Sequence, residues 1–158
     1  MGSRPHPTRE GPQDMTIANI LRHKGHDVAS VAPVTKIPDI ARILAEWRIG
    51  AVLVRDSAGQ LLGIVSERDI VRALARDGAA VLEMTAAQLM TRLLHTVTPG
   101  TSPEEALQMM TMGRVRHLPV LDQDEVVGMV SIGDVVKAQL DAQAQEVDSL
   151  KAYVAGSV

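Results

Sequence analysis

Two short patterns join a hydroxyl to a carboxylate at a fixed spacing: Ser66-Glu67-Arg68-Asp69 and Ser131-Ile132-Gly133-Asp134. Ser-x-x-Asp has the spacing of a helix capping box, with Asp standing where Glu or Gln is usual. The same geometry suits a ligand. A carboxylate in the first helical turn can accept hydrogen bonds from both hydroxyls of a ribose cis-diol, while the helix N-terminus faces an anion. Taken singly, either pattern reads as a cap, because serine caps are common. The roles are compatible, since the Ser can cap while the Asp reaches outward. Arg68 sits in the first turn, where a cation works against the helix dipole. That suits a residue placed for phosphate; beside Glu67 it also reads as half of an ordinary exposed pair. Lys36 has the reach for a phosphate, and reads more simply as a solvated lysine.

Other chemistries are poorly supplied. The chain has no cysteine, which removes disulfides, thiolate zinc sites and cysteine nucleophiles. His23 and His26 are close, but the stretch is not read as a metal site. There is no Gly-x-Gly-x-x-Gly, Walker loop or Gly-x-Ser-x-Gly elbow, so no enzyme is expected. A net charge of −3 argues against nucleic acid, as do the absence of Phe and the single Trp and Tyr. No apolar stretch approaches the ~20 residues of a membrane helix. Residues 1–14, with Pro5, Pro7 and Pro12, read as a disordered arm or a cloning remnant, with Met15 a natural start. A cytoplasmic protein is the default expectation.

The elements that must position these residues occur twice. Gly63-Ile64-Val65-Ser66-Glu67-Arg68-Asp69-Ile70-Val71-Arg72 returns as Gly128-Met129-Val130-Ser131-Ile132-Gly133-Asp134-Val135-Val136-Lys137, with five of the ten positions identical. Further upstream Val31-Ala32-Pro33-Val34-Thr35 matches Val97-Thr98-Pro99-Gly100-Thr101, with the offset one residue longer. The slip falls in the turn 57–60, where a change of loop length is cheap. Each copy reads as a short extended piece (28–31; 95–98), a helix, a hairpin and a second helix. The first helix of copy one carries Ile40, Ile43, Leu44 and Trp47 at helical spacing; copy two carries Ala106, Met109 and Met110. Ser102 before Pro103-Glu104-Glu105 is an N-cap. The hairpins are 51–54 with 61–65 and 118–121 with 126–130. A short helix leads each copy (17–21; 86–90). The last helix runs on toward Tyr153, with Leu140, Val147 and Val154 at heptad spacing.

A strand ending in Gly-hydrophobic-x-Ser-x-x-Asp and running into a helix, present twice, resembles a pair of CBS domains (a Bateman module). The stretch Gly113-Arg114-Val115-Arg116-His117-Leu118-Pro119-Val120 resembles the family's approach to its second strand. Copy one departs there, with Leu53 where copy two has Pro119. The resemblance covers residues 15–140, and the sequence is similar to short stand-alone bacterial members. It implies an α/β (α+β-like) fold: two pseudo-symmetric β-α-β-β-α repeats, packed through their sheets about a two-fold axis, with a C-terminal helix. The expected divisions are 1–14, repeats at 15–80 and 81–140, and a helical extension at 141–158.

The resemblance also implies adenine-nucleotide binding in clefts between the repeats, and a regulatory role. It turns Ser66, Asp69, Ser131 and Asp134 toward ribose binding. It gives Val115, Arg116 and His117 a place bordering adenine, where copy one has Ile49, Gly50 and Ala51. Thr98, and Ala32 in copy one, take another base-facing position. No cofactor is required; AMP is the first-choice ligand, then ATP, ADP or NAD(H). The expected function is an energy-sensing module acting on an unidentified protein target. The alternatives are an interaction or dimerisation protein without a nucleotide, and a small nucleotide-acting enzyme. A homodimer is expected from an apolar face at Trp47, Met109, Met110 and Met112, extended by the heptad-like tail. The two clefts are expected to be unequal, with the Asp134 one tighter because Arg68 faces its phosphate and Gly133 holds the reciprocal place.

Overall fold

A computed structural model describes residues 15–92 and 95–156; the arm expected at 1–14 lies outside them. In order the described elements are α1 (Ile17–Lys24), β1 (Ser30–Val31), α2 (Ile37–Trp47), β2 (Ala51–Arg55), β3 (Leu61–Ser66), α3 (Glu67–Asp77), a 3-10 segment (Gly78–Glu83), α4 (Ala86–Leu89), α5 (Pro103–Gly113), β4 (His117–Asp122), β5 (Glu125–Ser131) and α6 (Ile132–Gly156). This is the mixed α/β class expected. No described helix is long and apolar enough to cross a membrane. Two compact units form. One gathers Asp27–Thr96 with Gln123–Val127; the other gathers Val97–Asp122 with the described parts of 1–26 and 128–158.

The first unit holds the sheet β1-β2-β3, with β1 parallel and β3 antiparallel to β2. Val52, Leu53 and Val54 are fully buried, so β2 is a continuous apolar run with no polar face. Ile37, Ile40 and Leu44 of α2 and Ile70 and Ala73 of α3 complete the core with Val31, Val65 and Val81. Trp47, last of the apolar series on α2, is 55% exposed. The helix ends just beyond it, at the left-handed Arg48. The 3-10 segment was not anticipated. It follows the break at Gly78 (φ 63°) and places Val81 in the core.

In the second unit α5 buries Pro103, Ala106 and Met110. Here one expectation is corrected. Met110 is only 2% exposed and cannot belong to an outer apolar face, whereas Met112 is exposed. Met110 lies one helical turn after Ala106 and shares its inward side. The extended piece expected at 95–98 shrinks to a single parallel bridge. Val97 N–H donates to Pro119 O at 3.0 Å and Val97 O accepts from Leu121 N–H at 2.8 Å. The hairpin β4–β5 turns through Gln123 and Asp124, both at positive φ, the pattern of a tight type I′ turn. The matching turn after β2 uses Gly59 at φ 83°, with Asp56 Oδ1 accepting from Ala58 N–H and Gln60 N–H. That difference is the one-residue slip between the copies.

Each leading helix docks in the same way. Ile17 N–H and Ala18 N–H donate to Thr101 O and Pro99 O, both at 2.9 Å. In the other unit Ala86 N–H and Ala87 N–H donate to Thr35 O at 2.7 Å and Pro33 O at 3.0 Å. So α1 precedes copy one in the chain and satisfies its first-turn donors on the turn of copy two. The repeated glycines make room for these helices. A Cβ on Gly128 would meet Leu21 Cδ2 at 2.7 Å, and one on Gly63 would meet Thr91 O at 2.7 Å and Met90 Sδ at 2.8 Å.

Candidate ligand site

Each unit carries one Ser-x-x-Asp at a strand-to-helix junction. In the first, Ser66 leaves β3 extended and caps α3. Asp69 N–H donates to Ser66 Oγ at 3.2 Å, and Asp69 Oδ2 accepts from Ser66 N–H and from its hydroxyl, both at 2.9 Å. In the second, Asp134 N–H donates to Ser131 Oγ at 3.1 Å, and Asp134 Oδ2 accepts from Ser131 N–H at 2.8 Å. The Ser-x-x-Asp box is therefore formed in both copies. In both boxes these bonds fall on Oδ2, so the carboxylate is fixed through one oxygen while Oδ1 takes none of them.

The flanking chain is also repeated. Ile132 N–H donates to Arg116 O at 2.9 Å, as Glu67 N–H does to Gly50 O. Arg114 and Arg48 are left-handed helix caps with φ 53°. After them Val115 N–H and Ile49 N–H return to Met110 O and Leu44 O at 3.0 and 3.1 Å. These bonds bring the backbone of Arg116 to the start of α6, and that of Gly50 to the start of α3. Thr98 N–H donates to Thr101 Oγ1 at 3.1 Å, so Thr98 belongs to the turn that receives α1. Thr98, Val115, Arg116, His117, Ser131 and Asp134 thus all belong to the second unit. Lys36, Ile49, Ala51, Ser66, Arg68 and Asp69 all belong to the first.

The two sets differ in charge. Arg116 is exposed, His117 and Val115 are half-buried, and their counterparts Ala51, Gly50 and Ile49 carry no charge. Arg68 is exposed in the first turn of α3. Lys36 Nζ pairs with Glu83 Oε2 at 3.0 Å, with both side chains mostly in water. Such a pair contributes little to stability, and leaves the ammonium available.

One residue had no signal in the sequence. Lys24, in the last turn of α1, donates from Nζ to Asp134 Oδ2 at 2.5 Å and to Met129 O at 2.8 Å. Burial pushes the Asp134 carboxyl up. The Lys24 hydrogen bond, the Ser131 N–H and the lysine charge outweigh it, and the group is held below the usual carboxylate range. A hundred and ten residues separate Lys24 from Asp134. Only the docking of α1 on the second unit joins them. His23 lies on the same helix, but the described residues contain no cluster of three His, Asp or Glu able to hold a metal.

The duplicated frame agrees with comparison to known proteins. The CBS domain family model matches residues 14–76 and 86–141. CBS domain-containing protein CBSX3, mitochondrial, of Arabidopsis thaliana is 32% identical over 92% of this chain and 75% of its own length. The crystal structure of the CBS-domain protein ATU1752 from Agrobacterium tumefaciens superposes with a TM-score of 0.77 at 39% identity, over 79% of this chain and 99% of that one. PAE2072 from Pyrobaculum aerophilum, complexed with AMP, gives 0.68 at 26% identity, over 76% and 89% of the two chains. The CBS pair of MJ0100, in complex with 5′-methylthioadenosine and S-adenosyl-L-methionine, gives 0.69 at 25%, over 78% and 94%. The chain belongs to the CBS domain family and carries two copies of the domain.

Proposed function

We propose that this CBS pair is a regulatory module that binds an adenosine ligand at the second unit's Ser131–Asp134 junction. The observation that carries the reading is the repeated capping box. Each Asp carboxylate is anchored at a helix start through one oxygen, the arrangement a cis-diol needs in order to find a fixed acceptor. The ligands named for PAE2072 and MJ0100 differ in charge and share adenosine. That favours recognition centred on ribose and base. In this chain Asp134 takes the diol. Val115, Arg116 and His117 border the base, with Thr98 nearby, and the cations Arg116 and Lys24 favour an anionic ligand. AMP is the first choice, with ATP, ADP and NAD(H) after it.

The equivalent set at Ser66 and Asp69, with Ile49, Ala51 and Lys36, is the weaker site, because Gly50 and Ala51 stand there in place of Arg116 and His117. Occupancy would be signalled to a protein target, without catalysis. Equilibrium dialysis of the full chain against radiolabelled AMP tests the reading directly, with adenosine and guanosine monophosphate as competitors. Competition by adenosine and not by the guanine nucleotide is expected. A chain that retains no adenosine compound at millimolar concentration would instead be an interaction protein whose Asp134 is satisfied by Lys24 and Ser131.

A further inference from the structure

In α6, which runs 25 residues, Val135 is the one buried side chain. Val136, Leu140, Val147, Leu150 and Val154 are between 40% and 62% exposed. With Gln143 they are spaced 4-3-4-3-4 along the helix, the alternation of a coiled-coil seam. Leu140, Val147 and Val154 take the a positions; Val136, Gln143 and Leu150 take d. The sides of α6 that meet its own unit flank this stripe, and on one of them Gln143 and Glu146 border a groove against Pro103 and Glu104. Asp141 and Asp148 border a groove against His23 of α1. Gln139 donates to Glu104 Oε1 of α5 at 3.4 Å on the other side. A shallow apolar depression runs along Val147, Leu150 and Val154 themselves.

We propose that this stripe pairs with the same stripe of a second copy of the chain, as a parallel two-stranded coil. Charge selects both the partner and the direction. Glu146 falls at g and Lys151 at e. In a parallel pair, g of one helix meets e of the other in the following heptad. Glu146 then faces the second copy's Lys151, and symmetry makes the contact twice. An antiparallel pair would set e against e, bringing together a set that contains Lys137 and Lys151. Val at two of the three a positions, with Leu150 at one d position, favours two strands, and the polar Gln143 in the seam fixes register. An anionic membrane surface is the poorer occupant, since Asp141, Glu146 and Asp148 flank the stripe. The pairing does not depend on the ligand reading.

The absence of native cysteine makes a direct test available. Leu140→Cys and Val154→Cys lie about 21 Å apart along the helix. In a parallel coil each variant, oxidised alone, crosslinks to its own second copy, whereas Ala152→Cys, on the outer side, does not. Sedimentation of the unmodified chain should give twice the 16.9 kDa chain mass. Leu140→Asp with Leu150→Asp should return the chain to a monomer with an unchanged circular dichroism spectrum, since both residues are exposed. At low salt Glu146→Lys and Lys151→Glu should each weaken the dimer several-fold, and the two together should restore it. A monomeric parent, a dimer that survives the double Asp change, or crosslinking of 140 only to 154 overturns the proposal.

Discussion

Lys24 Nζ and Asp134 Oδ2 are 2.5 Å apart, and that oxygen also accepts the Ser131 N–H. The ion pair ties α1 to the start of α6, at the same carboxylate that the ligand reading assigns to ribose. Stability and binding therefore meet on one group.

The pair predicts a pH signature. Asp134 has its carboxyl pKa lowered by folding, so over the interval between folded and unfolded values unfolding takes up a proton. Its contribution is complete above the unfolded value near 4 and is lost as pH falls through the lower, folded one. With both partners partly solvated, Lys24→Met should cost about 1 kcal/mol or less at pH 7. In urea titrations the difference between Lys24→Met and the parent should be smaller at the lowest pH at which the chain stays folded than at pH 7. A difference of the same size at both pH values would mean that lost packing by the lysine stem, not the ion pair, sets the cost.

The repeated glycines predict an asymmetry. Gly128→Ala drives a methyl against the side chain of Leu21, which can shift by a few tenths of an ångström. Gly63→Ala drives one against the backbone oxygen of Thr91, which cannot rotate away. Both should destabilise, by about 1–3 kcal/mol, and Gly63→Ala should be the larger. Denaturation midpoints decide the order. Equal or reversed losses would show that the β3 contact relaxes more easily than its geometry implies.

Three serines separate capping from binding. Ser102 and Ser131 both exchange hydrogen bonds with the residue three positions on, as Ser66 does. Replacing Ser102 or Ser131 by Ala should cost about 1 kcal/mol of stability in either case. Only Ser131→Ala should also weaken an adenosine ligand, by loosening Asp134. If Ser102→Ala weakens the ligand as much, general loosening of the unit is the cause and the Ser131 box has no special role.

Much of this frame was legible because it is written twice. Hairpins, capping serines and the two main helices appear at matching positions in both copies, and a pattern seen twice outweighs local propensity. What escaped has a physical reason in each case. The docking of α1 on Pro99 and Thr101 is made by backbone groups, which leave no trace in residue type. Lys24 looks like any lysine at a helix end until that docking places it. Met110 and Met112 have the same composition, and only the helix phase sends one inward. The boxes that Ser66 forms with Asp69 and Ser131 with Asp134 were readable from spacing. The charge difference between the two sets was readable in part, through Arg116 and His117.

The measurement that bears most directly on the ligand site is calorimetric titration of AMP into the full chain, Asp134→Asn and Asp69→Asn. Asn keeps the shape and can still accept the Ser131 N–H, but removes the charge that strengthens hydrogen bonds to a diol. Charged hydrogen bonds contribute about 1.5–3 kcal/mol each, so Asp134→Asn should weaken the tighter binding at least about tenfold. Asp69→Asn should leave that phase nearly unchanged. Adenosine should follow the same order with lower affinity, because it lacks the phosphate that the nearby cations favour. Binding that survives Asp134→Asn intact, or that is abolished by Asp69→Asn instead, would contradict the assignment of the site to Asp134.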